Sequence, residues 1–163
     1  MKLDQFELSA QYRVGVVYQI VWVLASRLFL ETRIPWSSNL KCALLRLFGA
    51  KIGTRVIVKP AVKIKRPDLI VIGNCSWIGE RVWIENIDLV SIGGDCCISQ
   101  GVKIINGSHR FDREAFDTIS APVEIGDRVW VGAFSLLMLG VRLDSDVFVK
   151  AGSILTSGAR KGE

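Results

Sequence analysis

His109 is the only histidine in the chain. It stands in the segment NGSHRF, immediately before the polar stretch RFDREAFDTISAPVE at residues 110–124. An imidazole can take and return a proton near neutral pH, which suits a general base, yet a lone histidine serves at least as often as a surface or capping side chain. Its solitude has one firm consequence: a zinc site of the carbonic-anhydrase type, which needs three imidazoles, has too few ligands here. No metal is implied. The four cysteines, Cys42, Cys75, Cys96 and Cys97, show neither the paired C-x-x-C spacing of structural zinc nor a disulfide framework, so a reducing compartment is expected. Cys96 reads as a small core residue. Glu85, Asn86 and Asp88 form a second polar group, and Asp112, Arg113, Glu114 and Asp117 a third. Each could meet a polar ligand or simply face water.

These groups need a scaffold, and the composition narrows the choice. The chain has 163 residues, 50% hydrophobic and 23% charged, with fifteen glycines against four prolines, which is enough for one packed domain and unlike a disordered polymer. Recurrent Val and Ile between glycines favour short extended segments over a helical bundle. A net charge of +5 would suit nucleic acid, an anionic membrane or a phosphate-rich cofactor. The basic residues are scattered and not gathered on an aromatic-interleaved face, which argues against nucleic acid.

Residues 1–50 are expected to form an apolar helical segment. Met1 to Ser9 carries Asp4 and Glu7 where a signal peptide would be basic. Val14 to Leu30 is strongly apolar, but it falls short of the roughly 20 residues of a spanning helix and contains Gln19, Ser26 and Arg27. It should pack on the domain or a partner subunit, or lie at a membrane surface. Asn39 to Phe48 reads as a second helix capped by Asn39 and stopped at Gly49, with Leu40, Ala43, Leu44, Leu47 and Phe48 on one side and Lys41 and Arg46 on another.

From Ile52 onward an aliphatic residue returns every six positions. Ile125, Val131, Leu137, Leu143, Val149 and Leu155 keep the spacing without a break, accompanied by Val129, Ser135, Val141, Val147, Ser153 and Ala159, all small or β-branched. Earlier groups are Ile52, Val58 and Ile64, then Ile72, Ile78 and Ile84, then Ile92, Ile98 and Ile104. A helix cannot use a period of six. One hexad is a short strand and a corner, three hexads close a triangular coil, and stacked coils bury an aliphatic column while pairing their backbones. Residues 51–163 should therefore form an all-β solenoid, a parallel β-helix. Gly53, Gly73, Gly79, Gly93, Gly126 and Gly132 follow the aliphatic where a side chain would crowd or where positive φ is needed. Ile87 to Ser91 adds two residues to a hexad, and residues 110–124 form an expelled loop, where function tends to sit.

LLRLFGAKIG (44–53), SWIGERVWIEN (76–86), CISQG (97–101), NGSHRF (106–111), APVEIGDRVWVGAFS (121–135) and KAGSILT (150–156), in this order, resemble the hexapeptide-repeat acyltransferases. Within them the similarity is to the colanic-acid biosynthesis acetyltransferase group, related to maltose and galactoside acetyltransferases. The resemblance implies a left-handed β-helix, a homotrimer with sites between subunits, and transfer of an acetyl group from acetyl-CoA to a sugar hydroxyl of a polysaccharide or its lipid-linked precursor. The expected setting is the cytoplasm, with peripheral contact at the inner membrane as an option. His109 matches the family's general base. Glu85 could orient it or bind the sugar, with Asn86 and Asp88 as further acceptor-binding candidates. Trp130, Gly132, Ala133, Ala151, Gly152 and Thr156 match coenzyme-binding positions, and Lys150, Arg160 and Lys161 could neutralise its phosphates. The chain departs from the family at Ser157, where lysine is usual, and at Asp144 and Lys150, where glycine is common. A different reading is a non-catalytic trimeric scaffold for a membrane-associated polysaccharide-assembly complex, to which loss of His109 would be indifferent.

Overall fold

The structure, a computed structural model, describes residues 14–157. Ala159, Arg160 and Lys161, and Met1 to Ser9 with Asp4 and Glu7, lie outside that range. Helices α1 (Val16–Phe29) and α2 (Ser38–Leu47) precede five coils. The first coil is β1 (Lys51–Ile52), β2 (Ile57–Val58) and β3 (Lys63–Ile64); the second, entered through a 3-10 turn at Pro67–Leu69, is β4 (Ile70–Ile72), β5 (Trp77–Ile78) and β6 (Trp83–Glu85). The third is β7 (Val90–Ile92), β8 (Cys97–Ile98) and β9 (Lys103–Ile105), followed by the hairpin β10 (Gly107–His109) and β11 (Thr118–Ser120). The fourth is β12 (Val123–Ile125), β13 (Trp130–Val131) and β14 (Leu136–Met138), and the fifth β15 (Arg142–Leu143), β16 (Phe148–Val149) and β17 (Ile154–Leu155).

Like positions stack coil upon coil into three five-stranded parallel sheets: a first of β1, β4, β7, β12 and β15, a second beginning with β2 and a third beginning with β3. The register joins residues of the same hexad phase, such as Ile72 with Ile92 and Val131 with Val149. The aliphatic column is buried from Val58 to Val149. This is the left-handed parallel β-helix that the repeat and the resemblance imply.

Two physical demands shape the corners. None of the six post-aliphatic glycines has positive φ. Crowding alone selects them: a Cβ on Gly73 would stand 2.5 Å from the backbone of Gly93 and Gly94, and one on Gly132 would stand 2.5 Å from the amide of Ala151. The left-handed residue comes two places later and is usually not glycine, as at Cys75, Asp95, Arg128 and Asp146. Its amide donates to a corner carbonyl of the coil before, Cys75 to Thr54 at 2.9 Å and Arg128 to Gly94 at 2.8 Å, so stacking offsets the local strain.

The helices close the open edge of the first coil, whose carbonyls would otherwise be orphaned. Trp22 Nε1 donates to Ile64 O at 2.9 Å, Lys41 Nζ to Val58 O at 3.1 Å, and Arg46 to the carbonyls of Ile52 and Gly53 at 3.1 and 2.6 Å. Two expectations for α2 are corrected by this arrangement. Its N-cap is Ser37, whose hydroxyl accepts from Leu40 N at 3.3 Å, and not Asn39. Its inner face is Lys41, Cys42 and Leu45, whereas Leu40 and Leu47 are exposed, because the surface it covers is a row of acceptors needing a donor.

Candidate active site

The segment expelled between β9 and β12 is a two-stranded hairpin and not an irregular loop: Gly107 pairs with Ser120, Ser108 with Ile119 and His109 with Thr118. The solenoid resumes at Val123, inside the range expected to be loop. The hairpin pairs its own strands, which lets this largely polar segment leave the coil with backbone partners. Its base is anchored. Buried Asn106 accepts from the amides of Ile87 and Asp88 at 2.9 and 3.3 Å and donates to the carbonyls of Asp88 and Leu89 at 2.8 and 3.2 Å. Ser120 Oγ donates to Asp88 Oδ2 at 2.8 Å, and Ile87 packs where Gly107 has no side chain.

His109 lies exposed on β10 with its ring stacked on Phe116, centroids 4.3 Å apart and planes 5° from parallel. Its Nδ1 is 3.0 Å from the Phe116 carbonyl. A carbonyl only accepts, so the contact places the proton of neutral imidazole on Nδ1 and makes Nε2 the basic atom. Phe116 is a residue that sequence reasoning missed, since a ring in a polar loop carries no spacing signal. Asn106 stands in NGSHRF, where nothing in the spacing distinguishes a buried anchor from a surface amide. The hydroxyl of Thr118, cross-strand from His109, is buried with no hydrogen-bond partner among the described residues.

The other acceptor-side residues divide. Asn86 is fully buried and holds the corner before it, accepting from Arg66 N at 2.9 Å and donating to Arg66 O at 2.8 Å, so its amide serves the solenoid. Glu85 is paired with Lys65 and accepts from Trp83 Nε1 at 3.0 Å. Asp88 touches the hairpin through Ser120. In the loop, Arg110 chelates Asp112 at 2.8 and 2.6 Å, which holds that carboxyl down to about 2, and Arg113 lies 3.4 Å from Asp117.

Trp130, Gly132, Ala133, Ala151 and Gly152 come together at the corner between the second and third sheets of coils four and five. Gly152 N donates to Ala133 O at 2.8 Å, and the Trp130 indole, 54% exposed, donates to Ser99 Oγ at 2.9 Å and leans on Phe148 at 4.9 Å. Below it, along the same edge, an open cleft of about 570 Å³ is lined by Lys59, Trp77, Glu80, Cys97, Ser99 and Gln100. The corner and the cleft meet at Ser99, which lines the cleft and accepts from Trp130. Thr156 follows β17 at the far end of the third sheet, on the side from which the hairpin leaves. His109 and the Trp130 edge are therefore at opposite ends of the third sheet in one chain.

A five-coil hexapeptide β-helix with an expelled hairpin bearing a histidine defines a class, and the chain belongs to the hexapeptide-repeat acetyltransferases. No protein-family model matches it. It is 30% identical to the protein named colanic acid biosynthesis acetyltransferase WcaF of Escherichia coli K12 over 157 residues, which cover 93% of this chain and 84% of that one. Against the galactoside O-acetyltransferase of the same organism it is 27% identical over 117 residues, 70% of this chain and 58% of the relative. Among solved structures, the hexapeptide-repeat acetyltransferase VCA0836 of Vibrio cholerae superposes with a TM-score of 0.77 at 25% identity, covering 90% of this chain and 85% of that one. VCA0836 has also been solved in complex with acetyl-CoA; that structure superposes with a TM-score of 0.64 at 23% identity over 91% of this chain and 80% of the other.

Proposed function

We propose that the protein transfers the acetyl group of acetyl-CoA to a sugar hydroxyl, with His109 as the general base. The observation that carries this reading is the contact of Nδ1 with the Phe116 carbonyl on a paired hairpin, which in the neutral ring leaves Nε2 as the proton-accepting atom. Nε2 takes the proton of the acceptor hydroxyl as its oxygen attacks the thioester carbonyl. The tetrahedral oxyanion, met by a backbone N–H, collapses to the acetyl ester and expels the thiolate of coenzyme A, which takes the proton back from the imidazolium. Trp130, Gly132, Ala133, Ala151 and Gly152 provide the track for the pantetheine arm, whereas Thr156, at the opposite end of the third sheet, lies off that track. A polysaccharide unit as acceptor is supported by the WcaF relative's name and a sugar generally by the galactoside enzyme. Among the acceptor-side candidates Asp88 is favoured, since it touches the hairpin base.

Calorimetric titration with acetyl-CoA, beside His109→Ala and followed by thioester loss with mixed sugars, tests the reading. Both proteins should bind coenzyme alike while the variant loses turnover about 10²- to 10⁴-fold, the usual worth of a positioned base. Equal turnover would remove His109 from the chemistry, and absence of coenzyme binding in both would leave the scaffold reading in its place.

A further inference from the structure

Helix α1 is apolar on almost every side. One stripe, Tyr18, Trp22, Ala25, Ser26 and Phe29, faces the first coil and α2, with the Trp22 ring 5.0 Å from that of Phe48. The opposite arc carries Val16, Val17, Ile20, Val21, Leu24 and Leu28, all between 49% and 76% exposed. A helix without a polar face is at home only where something covers its second side. Fourteen residues extend about 21 Å at 1.5 Å each, short of the roughly 30 Å of a bilayer core. No described helix is long and apolar enough to cross a membrane.

Among the described residues, the exposed charges on this arc and just beyond its C-terminal end are of one sign. Arg27 lies within it and Arg33 just beyond it, both exposed. The one acid between residues 14 and 50, Glu31, is turned inward to accept from Ser26 Oγ at 2.9 Å. Trp36 stands at the same end, its indole N–H on the Leu28 carbonyl at 3.0 Å and its ring 5.5 Å from Phe29. Symmetric packing of two such faces would bring arginines together with no exposed acid of the described residues 14–50 to receive them. A surface that offers hydrocarbon and phosphates together complements all of these features, with the tryptophan at the boundary.

We propose that the exposed face of α1 rests on an anionic phospholipid surface, the helix lying in the plane of the bilayer with Arg27 and Arg33 on headgroup phosphates. This is independent of the chemistry assigned to His109. The test is flotation of the full chain with vesicles of phosphatidylglycerol and phosphatidylcholine, against phosphatidylcholine alone and against raised salt. The protein should float with the anionic vesicles and be released by salt. Arg27→Gln with Arg33→Gln should lower the partition about 25-fold, roughly fivefold for each charge removed. Val17→Glu with Leu24→Glu should abolish flotation while leaving the melting temperature and the solution mass unchanged, since both side chains are already in solvent.

Absence of flotation by the parent, or equal flotation by the variants, would overturn the proposal. A fall in mass of Val17→Glu/Leu24→Glu with vesicle binding retained would instead make the face a contact between copies of this chain. Flotation only after removal of residues 1–13 would make that segment the cover.

Discussion

At the residue scale, His109 and the glycines answer to different physics. The sequence singles out His109 by place, but the tautomer of its neutral ring depends on the Phe116 carbonyl 3.0 Å away, a main-chain atom seven residues on that no side-chain pattern reveals. The glycines were legible as a spacing and ambiguous as a cause. The two explanations, crowding and positive φ, apply to different positions, and this separates their mutational costs. Gly73→Ala forces a methyl into the Gly93 and Gly94 backbone at 2.5 Å, so the coils must part, at about 2–3 kcal/mol. Gly152 has φ +75 and nothing within 4 Å of its missing Cβ, so Gly152→Ala should cost only about 1 kcal/mol, the local penalty of a left-handed alanine. Denaturant unfolding of the two variants checks the order; the reverse order would mean that the coils are looser than their register implies.

At the element scale, the strands were legible because a period of six leaves one arrangement that buries every aliphatic and pairs every backbone group. The helices were legible as helices and not as surfaces. Apolar spacing put Leu40 and Leu47 inward on α2, whereas the edge it covers is a line of carbonyls, and the residue that goes inward is Lys41, 1% exposed, donating to Val58 O. The same burial, which disfavours the charged ammonium, lowers the pKa of Lys41 below its ordinary value of 10.5. Between the lowered value and 10.5 the unfolded chain then binds more protons than the folded one, so stability rises with pH through that window. The stability of the parent relative to Lys41→Met should therefore increase as pH is raised toward 10, a difference in which Cys42 and the other common groups largely cancel. A constant difference between the two across that range would show that Lys41 stays charged, held by its carbonyl.

At the scale of the molecule, a solenoid is stiff, and each of its edges keeps its distance from the others. The hairpin bearing His109 leaves between the third and first sheets, while the proposed coenzyme track runs between the second and third, so the proposed reaction would call for two copies in a cyclic, head-to-tail arrangement. The outward column of the second sheet, Ile57, Trp77, Cys97, Trp130 and Phe148, is apolar and solvent-facing, in contrast to Lys51, Val71, Ser91, Glu124 and Arg142 on the first. Such a face suits contact with a neighbouring copy, which the proposed reaction would require. The arrangement makes two inactive variants complementary. His109→Ala keeps the track, and Ala151→Trp, at an exposed corner, blocks the track and keeps the base. In trimers assembled from an equal mixture, about one site in four would combine an intact His109 from one copy with an intact track from the next, given closed cyclic symmetry. Co-refolded mixtures should recover about a quarter of parental turnover, and each variant refolded alone should remain inactive. No recovery, with mixed trimers verified by mass, would place His109 and its coenzyme within a single chain.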